Sequence, residues 1–255
     1  MQNHSHDYQR VYVWEQPVRW FHWINALCVI MLGVTGYLIA HPPGLLNSGE
    51  AADSFWFGKI RFVHFTTAYL FMVNFAFRLY WASVGNKYTH WRNFFPLTKP
   101  QIRQVFAVLK VDIFQSSAKP VHTLGHNSMA YFTYMGTGLL TIFQVLSGFA
   151  LYASMSHSWF PQLFSWMVPL FGSEQNLRVF HYAALWAFVV FTLIHIYLVF
   201  YHDYVEGHGV LSSMVGGWKF MEKEEIEAEE ASGISGFSRR KGDRPHVAVE
   251  PGPII

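Results

Sequence analysis

The chain has 255 residues, of which 52% are hydrophobic and 18% aromatic, whereas only 13% are charged. So apolar a composition excludes an ordinary soluble domain of this length and indicates a protein that folds in a lipid bilayer. The formal net charge of +2 gives no reason to expect a nucleic-acid partner. The single cysteine, Cys28, excludes a disulfide framework, a cysteine-ligated zinc site and an iron–sulfur cluster within this chain.

Four apolar stretches are long enough to cross the bilayer. A transmembrane helix needs about 20 residues, because each residue rises about 1.5 Å and the hydrocarbon core is about 30 Å thick. Residues 1–217 are therefore predicted to form an all-α membrane domain, a bundle of four transmembrane helices at about 18–40, 60–82, 130–152 and 179–202. The first span is expected to remain as a helix, because no basic segment precedes it and no small-residue cleavage site follows it.

The long connection between the second and third spans contains an amphipathic segment, Pro100–Gln115. Its basic residues Arg103 and Lys110 lie opposite an apolar side at helical spacing. This pattern predicts a helix at the membrane surface.

The distribution of Lys and Arg predicts the orientation. If both termini are cytoplasmic, 15 of the 18 Lys and Arg residues lie on the inner side of the membrane, and only Lys59, Arg61 and Arg178 lie outside. This asymmetry is typical of a multi-pass protein of the cell inner membrane. Residues 218–255 carry a run of Glu and then basic and Pro-rich sequence, which predicts a mostly disordered, charged cytoplasmic tail.

Four histidines lie within the predicted spans, near their ends: His22, His64, His181 and His195. The last two are 14 residues apart, which on an α-helix is a rise of about 21 Å with both side chains on nearly the same face. The topology places His64 level with His181 near the outer surface, and His22 near the depth of His195 on the inner side. Two pairs of neutral imidazoles at two depths can ligate two haem irons, and without a C-x-x-C-H motif the haems would be held noncovalently, as b-type haems are.

Other residues fit the same interpretation. Arginines near the span ends are candidate partners of the haem propionates: Arg19, Arg61, Arg78 and Arg178. Glycines within the spans provide places for close approach of a macrocycle or a neighbouring backbone: Gly33, Gly36, Gly136, Gly138 and Gly148. His122, His126 and Asn127 precede the third span on the inner side, where they are candidates to hydrogen-bond a quinone. Taken singly, each of these residues is also compatible with helix packing, capping or an interfacial position.

Two runs carry a family resemblance. Arg19-Trp20-Phe21-His22-Trp23 opens the first span, and RVFHYAALWAFVVFTLIH extends from Arg178 to His195. With these runs and Gly125-His126-Asn127, the sequence resembles the cytochrome b subunit of membrane-bound nickel–iron hydrogenases over about residues 10–210.

The resemblance implies a function. It implies that the four span histidines ligate two b haems, that the small and large hydrogenase subunits dock on the periplasmic face, and that electrons from hydrogen oxidation reach menaquinone or ubiquinone. A symmetric multimer of the complex is also expected. Since the chain has one cysteine and a nickel–iron centre needs four thiolates, it is expected to be the electron-transfer subunit of a hydrogen:quinone oxidoreductase, with no hydrogen-splitting site of its own.

Three alternatives stay open at this point. The cytochrome b subunit of a formate dehydrogenase is similar in having four helices and a widely spaced His pair. A transporter or proton channel with histidine relays would instead show polar residues through several spans, whereas the helix centres are apolar apart from Asn74 and Gln144. A membrane di-iron enzyme would need clustered histidine boxes near one surface, and the sequence has none.

Overall fold

A computed structural model describes residues 8–44, 55–86, 88–91, 102–103, 105–106, 128–206, 209–224, 226 and 250–251. The four predicted spans are helical: α1 (Gln16–Ala40), α2 (Trp56–Val84), α3 (Ser128–Ala153) and α6 (Glu174–Glu206). Each is long enough and apolar enough to cross a membrane. Many of their large apolar side chains, such as Leu27, Phe62 and Leu193, face outward, as lipid-exposed surfaces do. The prediction of a mostly helical protein with four membrane-spanning helices is confirmed.

Shorter elements complete the described part of the chain. Between α3 and α6 lie the single-turn helices α4 (Trp159–Gln162) and α5 (Met167–Leu170). After α6 comes α7 (Val210–Gly216). Three strands form one antiparallel sheet: β1 (Tyr8–Tyr12), β2 (Trp218–Glu222) and β3 (Glu250–Pro251), in the order β2-β1-β3. Of the predicted surface helix at 100–115, Ile102, Arg103, Val105 and Phe106 are helical and the other residues lie outside the described part.

The chain divides into two compact units. Unit 1 comprises residues 1–20, 78–136 and 195–255, and unit 2 comprises residues 21–77 and 137–194. Unit 2 therefore contains most of α1 and α2, the later part of α3 and the first part of α6. Its buried centre includes Cys28, Phe71 and Phe188, and a second cluster of Ala150, Met167 and Leu177.

Unit 1 has its own small core, built where the two ends of the chain meet. Val11 and Val13 are fully buried there together with Met221 of β2. The Glu15 carboxylate accepts hydrogen bonds from Trp81 Nε1 and from the Asn86 backbone N–H, both at 2.9 Å. Gly217 (φ 90°) makes the turn from α7 into β2, at a place where a Cβ would lie 2.8 Å from the Trp14 carbonyl oxygen.

The start of the C-terminal segment differs from the disordered tail that the sequence predicts. Trp218–Glu222 pairs with Tyr8–Tyr12 along its whole length, and Lys219, Met221 and Ile226 are buried. The difference arises because a strand partner more than 200 residues away along the chain supplies the backbone hydrogen bonds, which composition alone does not reveal. Most of the remaining tail lies outside the described residues.

Candidate functional site

A cavity of about 380 Å³ lies within unit 2. This volume falls in the range of roughly 300–1,000 Å³ that is usual for ligand sites in proteins. All four long helices contribute to its lining, which includes Gly33 and Gly36 of α1, Arg61 and His64 of α2, Gln144 and Gly148 of α3, and Arg178 and His181 of α6. The structure thus brings His64 and His181, the predicted outer pair, to one cavity.

Each of these two histidines contacts a hydroxyl group on a neighbouring helix. His64 Nδ1 lies 2.8 Å from Thr35 Oγ1 on α1. His181 Nδ1 lies 2.7 Å from Ser147 Oγ on α3. In both rings the Nδ1 atom is therefore engaged with the protein, which leaves Nε2 as the nitrogen available to a ligand in the cavity.

Each ring also packs against a glycine, next in sequence to that hydroxyl residue. A Cβ at Gly36 would lie 3.4 Å from His64 Cε1, and a Cβ at Gly148 would lie 3.2 Å from His181 Cε1. Gly33 has a similar neighbour, Leu185, at 3.5 Å. At these three glycines the close neighbour is a side chain of another helix, whereas an added Cβ at Gly136 or Gly138 would have no neighbour within 4 Å. The approach of a macrocycle or of a neighbouring backbone at the five glycines stays a prediction.

Two arginines line the same cavity. Arg178 donates to the Glu174 carboxylate at 2.6 Å, one helical turn earlier, and the Arg61 guanidinium lies 4.9 Å from the centre of the Phe57 ring. The start of α6, which carries Arg178 and His181, is set by Gly172 (φ 81°) and by the Ser173 hydroxyl, which accepts from the Asn176 backbone N–H. Cationic side chains at the lining suit a ligand that carries carboxylates.

The other predicted arginines belong to unit 1. Arg19 Nη1 donates to the Val215 carbonyl oxygen. Arg78 is buried, donates to the Thr89 carbonyl oxygen at 3.4 Å, and has its guanidinium 5.4 Å from the centre of the Tyr134 ring. Propionate contacts by these two residues stay predictions.

The predicted inner pair is divided between the two units, because His22 falls in unit 2 and His195 in unit 1. His22 is half-buried, with the Trp23 ring edge-on at 5.0 Å. His195 lies on α6, 14 residues after His181, with an exposed side chain. Their pairing therefore stays a prediction from the sequence. The predicted quinone residues His122, His126 and Asn127 lie outside the described residues.

Sequence reasoning missed Thr35 and Ser147. Each stands directly before one of the glycines that contact a histidine, so the chain carries the dipeptides Thr35-Gly36 and Ser147-Gly148 on α1 and α3. A hydroxyl residue beside a glycine in an apolar span is the signal that was available. It was not decisive because Thr and Ser in a membrane helix commonly bond to their own backbone.

The chemistry of the lining fits a haem. The nitrogens of two imidazoles are a donor set that suits haem iron, glycines lie beside both rings, and the charge of two guanidinium groups is complementary to that of haem propionates. Apolar walls that include Phe65, Tyr69 and Phe149 suit a macrocycle.

Comparison with known proteins decides the family. Residues 13–217 match the sequence profile of a family described as prokaryotic cytochrome b561. The chain belongs to this prokaryotic cytochrome b561 family. It is thus a transmembrane cytochrome b of electron transport, and haem b is its cofactor. Both runs that carry the resemblance noted in the sequence lie inside the matched residues, so that interpretation is confirmed.

Similar proteins come from several bacteria. The chain is 37% identical over 214 residues to a protein of Cupriavidus necator, covering 82% of this chain and 86% of that protein. It is 37% identical over 215 residues to one of Azotobacter vinelandii, covering 82% and 88%. Each of these two proteins is named "probable Ni/Fe-hydrogenase B-type cytochrome subunit". A protein of Escherichia coli K12, named "probable Ni/Fe-hydrogenase 1 B-type cytochrome subunit", is 32% identical over 238 residues, which is 91% of this chain and the whole of that protein.

Proposed function

We propose that this cytochrome b561 family member is the di-haem membrane subunit of a nickel–iron hydrogenase, and that it transfers electrons from hydrogen oxidation to the quinone pool. The observation that carries the proposal is that His64 and His181, on different helices, line one cavity, and that the Nδ1 atom of each contacts a hydroxyl oxygen of the protein. Two such imidazoles form the donor set of a six-coordinate b haem.

This chain's residues hold the first haem in four ways. Nε2 of His64 and of His181 would bind the iron, and Arg61 and Arg178 would pair with the propionates. Gly36 and Gly148 keep the two rings close to their supporting helices. The apolar walls exclude water and hold the macrocycle between the helices. When bound, haem b supplies a reversible one-electron iron couple.

His22 and His195 are proposed to hold the second haem. The support is the 14-residue interval between His181 and His195 on a single continuous helix, α6. This interval gives an axial rise of about 21 Å on nearly one helix face. Two sites at this separation would lie near opposite surfaces of the bilayer, as electron transfer across it requires.

The partner and the orientation follow from the names of the relatives and from the charge distribution. The relatives quoted above are named as subunits that accompany a Ni/Fe hydrogenase, which supports hydrogenase rather than formate dehydrogenase as the partner. Both termini are proposed to be cytoplasmic, in the inner membrane, because 15 of the 18 Lys and Arg residues then lie inside. The His64/His181 site would face the periplasmic hydrogenase subunits. Quinone would be reduced at the other side, with His122, His126 and Asn127 as the proposed contacts.

A di-iron enzyme finds no support, since in the described part of the chain no three His, Cys, Asp or Glu side chains come together. A histidine-relay transporter would purify without a low-spin haem spectrum, which makes the cofactor the decisive test.

The test is haem quantitation with a reduced-minus-oxidised spectrum on the purified full-length chain and on single His→Ala variants. We expect two b haems per chain. His64→Ala and His181→Ala should each lose the same haem, and His22→Ala and His195→Ala should each lose the other. His157→Ala, an exposed histidine in the loop after α3, is the control and should keep both. Retention of both haems in a folded His64→Ala and His181→Ala double variant would overturn the proposal.

A further inference from the structure

We infer that Thr35 and Ser147 are positioning residues for His64 and His181. Each hydroxyl holds its histidine in the Nδ1–H tautomer with Nε2 directed at the cavity, and thereby sets the midpoint potential of the bound haem. The inference rests on the proposed function, because it takes His64 and His181 as the iron ligands. It adds two residues to which no role has been assigned.

The direction of the hydrogen bonds decides the tautomer. Thr35 Oγ1 lies 2.6 Å from the Met31 carbonyl oxygen, and Ser147 Oγ lies 2.7 Å from the Phe143 carbonyl oxygen. A carbonyl oxygen can only accept, so each hydroxyl must donate its one proton to the carbonyl four residues earlier. The same oxygen must then accept from the imidazole, which makes Nδ1 the protonated nitrogen and leaves the lone pair on Nε2.

Burial makes these contacts hard to replace. Thr35 is 7% exposed and Ser147 is fully buried, so water is not at hand to accept from Nδ1 if the hydroxyl is removed. A buried donor without an acceptor is unfavourable. The ring would turn or change tautomer, and Nε2 would no longer be presented with its lone pair.

This arrangement of a hydroxyl residue, a glycine and a histidine occurs twice around the cavity. In each half of the cavity one helix carries a hydroxyl residue followed by glycine, and the next long helix along the chain carries the histidine. The hydroxyl fixes the ring at Nδ1, and the glycine lets Cε1 pack within about 3.2–3.4 Å of the position of its missing Cβ. Because the same arrangement of hydroxyl, glycine and histidine occurs on two pairs of helices around one cavity, it indicates a common function in positioning the rings rather than two unrelated packing contacts.

The expected consequence is electronic as well as geometric. An Nδ1–H that donates to an oxygen makes the opposite nitrogen a more basic ligand, and a more basic ligand favours ferric over ferrous iron. Loss of the acceptor should therefore raise the midpoint potential of this haem and weaken its binding.

The experiment compares Thr35→Val and Ser147→Ala with the conservative variants Thr35→Ser and Ser147→Thr, in the full-length chain. Thr141→Val is the matched control, because Thr141 is buried on α3 and does not line the cavity. Redox titration and the electron paramagnetic resonance spectrum of the ferric haem are the readouts. We expect up to a tenfold shift toward ferrous haem at fixed ambient potential, which is about 59 mV for one electron, together with shifted resonances.

The outcomes separate this inference from the proposed function. Unchanged potentials and spectra in Thr35→Val and Ser147→Ala would overturn the inference, whereas haem retained in the His64 and His181 variants would overturn the function beneath it. If Thr35→Val loses haem altogether, a Thr35→Ser variant that restores haem with the original potential supports the inference. Failure of Thr35→Ser to restore it would show that the methyl group matters rather than the hydroxyl.

A second inference has independent support in residues 155–172, which join α3 to α6. We propose that this segment lies at the boundary between the lipid headgroups and the acyl chains, with its exposed apolar side chains toward the acyl chains, and anchors the surrounding end of the bundle. Trp159, Leu163, Trp166 and Leu170 recur at helical spacing and are all exposed, Trp159 by 75% and Leu170 by 68%. No Asp, Glu, Lys or Arg occurs between Ala153 and Glu174.

The opposite side of the segment is packed on unit 2. Pro161 and Met167 are buried, Phe164 stacks with Phe149 at 5.5 Å, and Gln162 Nε2 donates to the Ala153 and Ser156 carbonyl oxygens at 2.8 Å. The exposed stripe is therefore held in place rather than folded inward. Its ends join two spanning helices, so it lies at the membrane surface, where Trp is enriched. A stripe without charged or amide groups suits lipid better than a polar protein partner.

Nitroxide labels at Leu163→Cys and Leu170→Cys, with Cys28→Ala as background, test this in nanodiscs with and without the hydrogenase. We expect that oxygen relaxes the labels at positions 163 and 170 strongly and that a water-soluble nickel complex does not. This result should be the same with and without the hydrogenase. Ser158→Cys, at an exposed polar position, is the control and should be reached by the nickel complex. Labels at 163 and 170 that nickel reaches in the free chain, and that the hydrogenase then protects, would overturn the proposal and identify a protein interface.

Discussion

His64 and His181 reach the same cavity by the same local construction, but their surroundings differ in tightness. The hydroxyl beside His181 belongs to a fully buried serine, and that beside His64 belongs to a threonine with 7% exposure. A Cβ at Gly148 would lie 3.2 Å from the His181 ring, against 3.4 Å for Gly36 and His64. Beneath His181, one helical turn earlier on α6, Leu177 is fully buried with Ala150 and Met167.

The comparison teaches that the two histidine side chains are held with unequal tightness. The half built on α3 and α6 has little room for change, because its ring, glycine and supporting core are all in close contact. The half built on α1 and α2 has ordinary van der Waals spacing. Substitutions in the α3/α6 half should therefore disturb haem binding more than equivalent ones in the α1/α2 half.

The largest expected effect is that of Leu177→Ala. Leu177 and His181 share a face of α6, and removal of a fully buried leucine side chain leaves a cavity that costs about 2–5 kcal/mol. Unfolding of the purified chain in mixed micelles measures the loss, and haem content reports whether His181 follows. Val29→Ala, a partly buried residue of the other cluster, should cost less, and an equal cost would remove the proposed asymmetry.

Gly148 and Gly36 test the same asymmetry at the two histidine rings. Gly148→Ala introduces a methyl group that forces the His181 ring to shift, with an overpacking cost of about 1–3 kcal/mol, and should weaken haem binding. Gly36→Ala should change it by much less. Gly138→Ala, where no neighbour lies within 4 Å, serves as the unperturbed reference. Haem dissociation rates rank the three variants, and a Gly36 effect as large as that of Gly148 contradicts the comparison.

A third prediction sets unit 1 against unit 2. Glu15→Ala removes the acceptor of two part-buried hydrogen bonds, from Trp81 and Asn86, and a hydrogen bond to a charged group contributes about 1.5–3 kcal/mol. Glu15→Gln keeps one acceptor oxygen and should cost less. Hydrogen exchange of β1 and β2 should accelerate while the haem that we propose is held by His64 and His181 keeps its spectrum. Loss of that spectrum in Glu15→Ala would show that the two units are not energetically separable.

The smallest effect is expected at the Arg178–Glu174 ion pair. Both side chains are well exposed, at 50% and 39%, and an exposed pair one turn apart on a helix contributes about 0.3–0.5 kcal/mol. Glu174→Gln should therefore leave stability nearly unchanged. Arg178→Gln should instead shift the haem midpoint potential, because it removes a positive charge from the cavity lining, and redox titration of both variants separates the two roles.

Much of this architecture was predictable because it depends on local physics. Transmembrane helices can be recognised from the length and hydropathy of a sequence segment. Each predicted span lies within its observed helix. Histidines are conspicuous at membrane depth, and His64 and His181, which helix rise and topology place at the same depth, line one cavity in the structure. The family was visible in two short runs around His22 and His181.

The parts that were not predictable depend on contacts between distant residues. Thr35 and Ser147 are unremarkable in sequence, and their importance comes from the imidazoles that lie 2.7–2.8 Å away on other helices. The strand at Trp218–Glu222 was expected to be part of a disordered tail, since its partner lies at the opposite end of the chain.

The sequence by itself determined the solvent in which this protein folds, the number and approximate positions of its spanning helices, the cofactor class and the family. It could do so because burial in lipid selects long apolar runs and makes each buried histidine expensive unless it is used. Only the tertiary structure decided which nitrogen of His64 and of His181 is engaged by a hydroxyl group, which glycines contact the rings, and how the strands from the two ends of the chain pair. Those properties depend on distances of a few ångströms between residues 29 to more than 200 positions apart, and no local pattern encodes them.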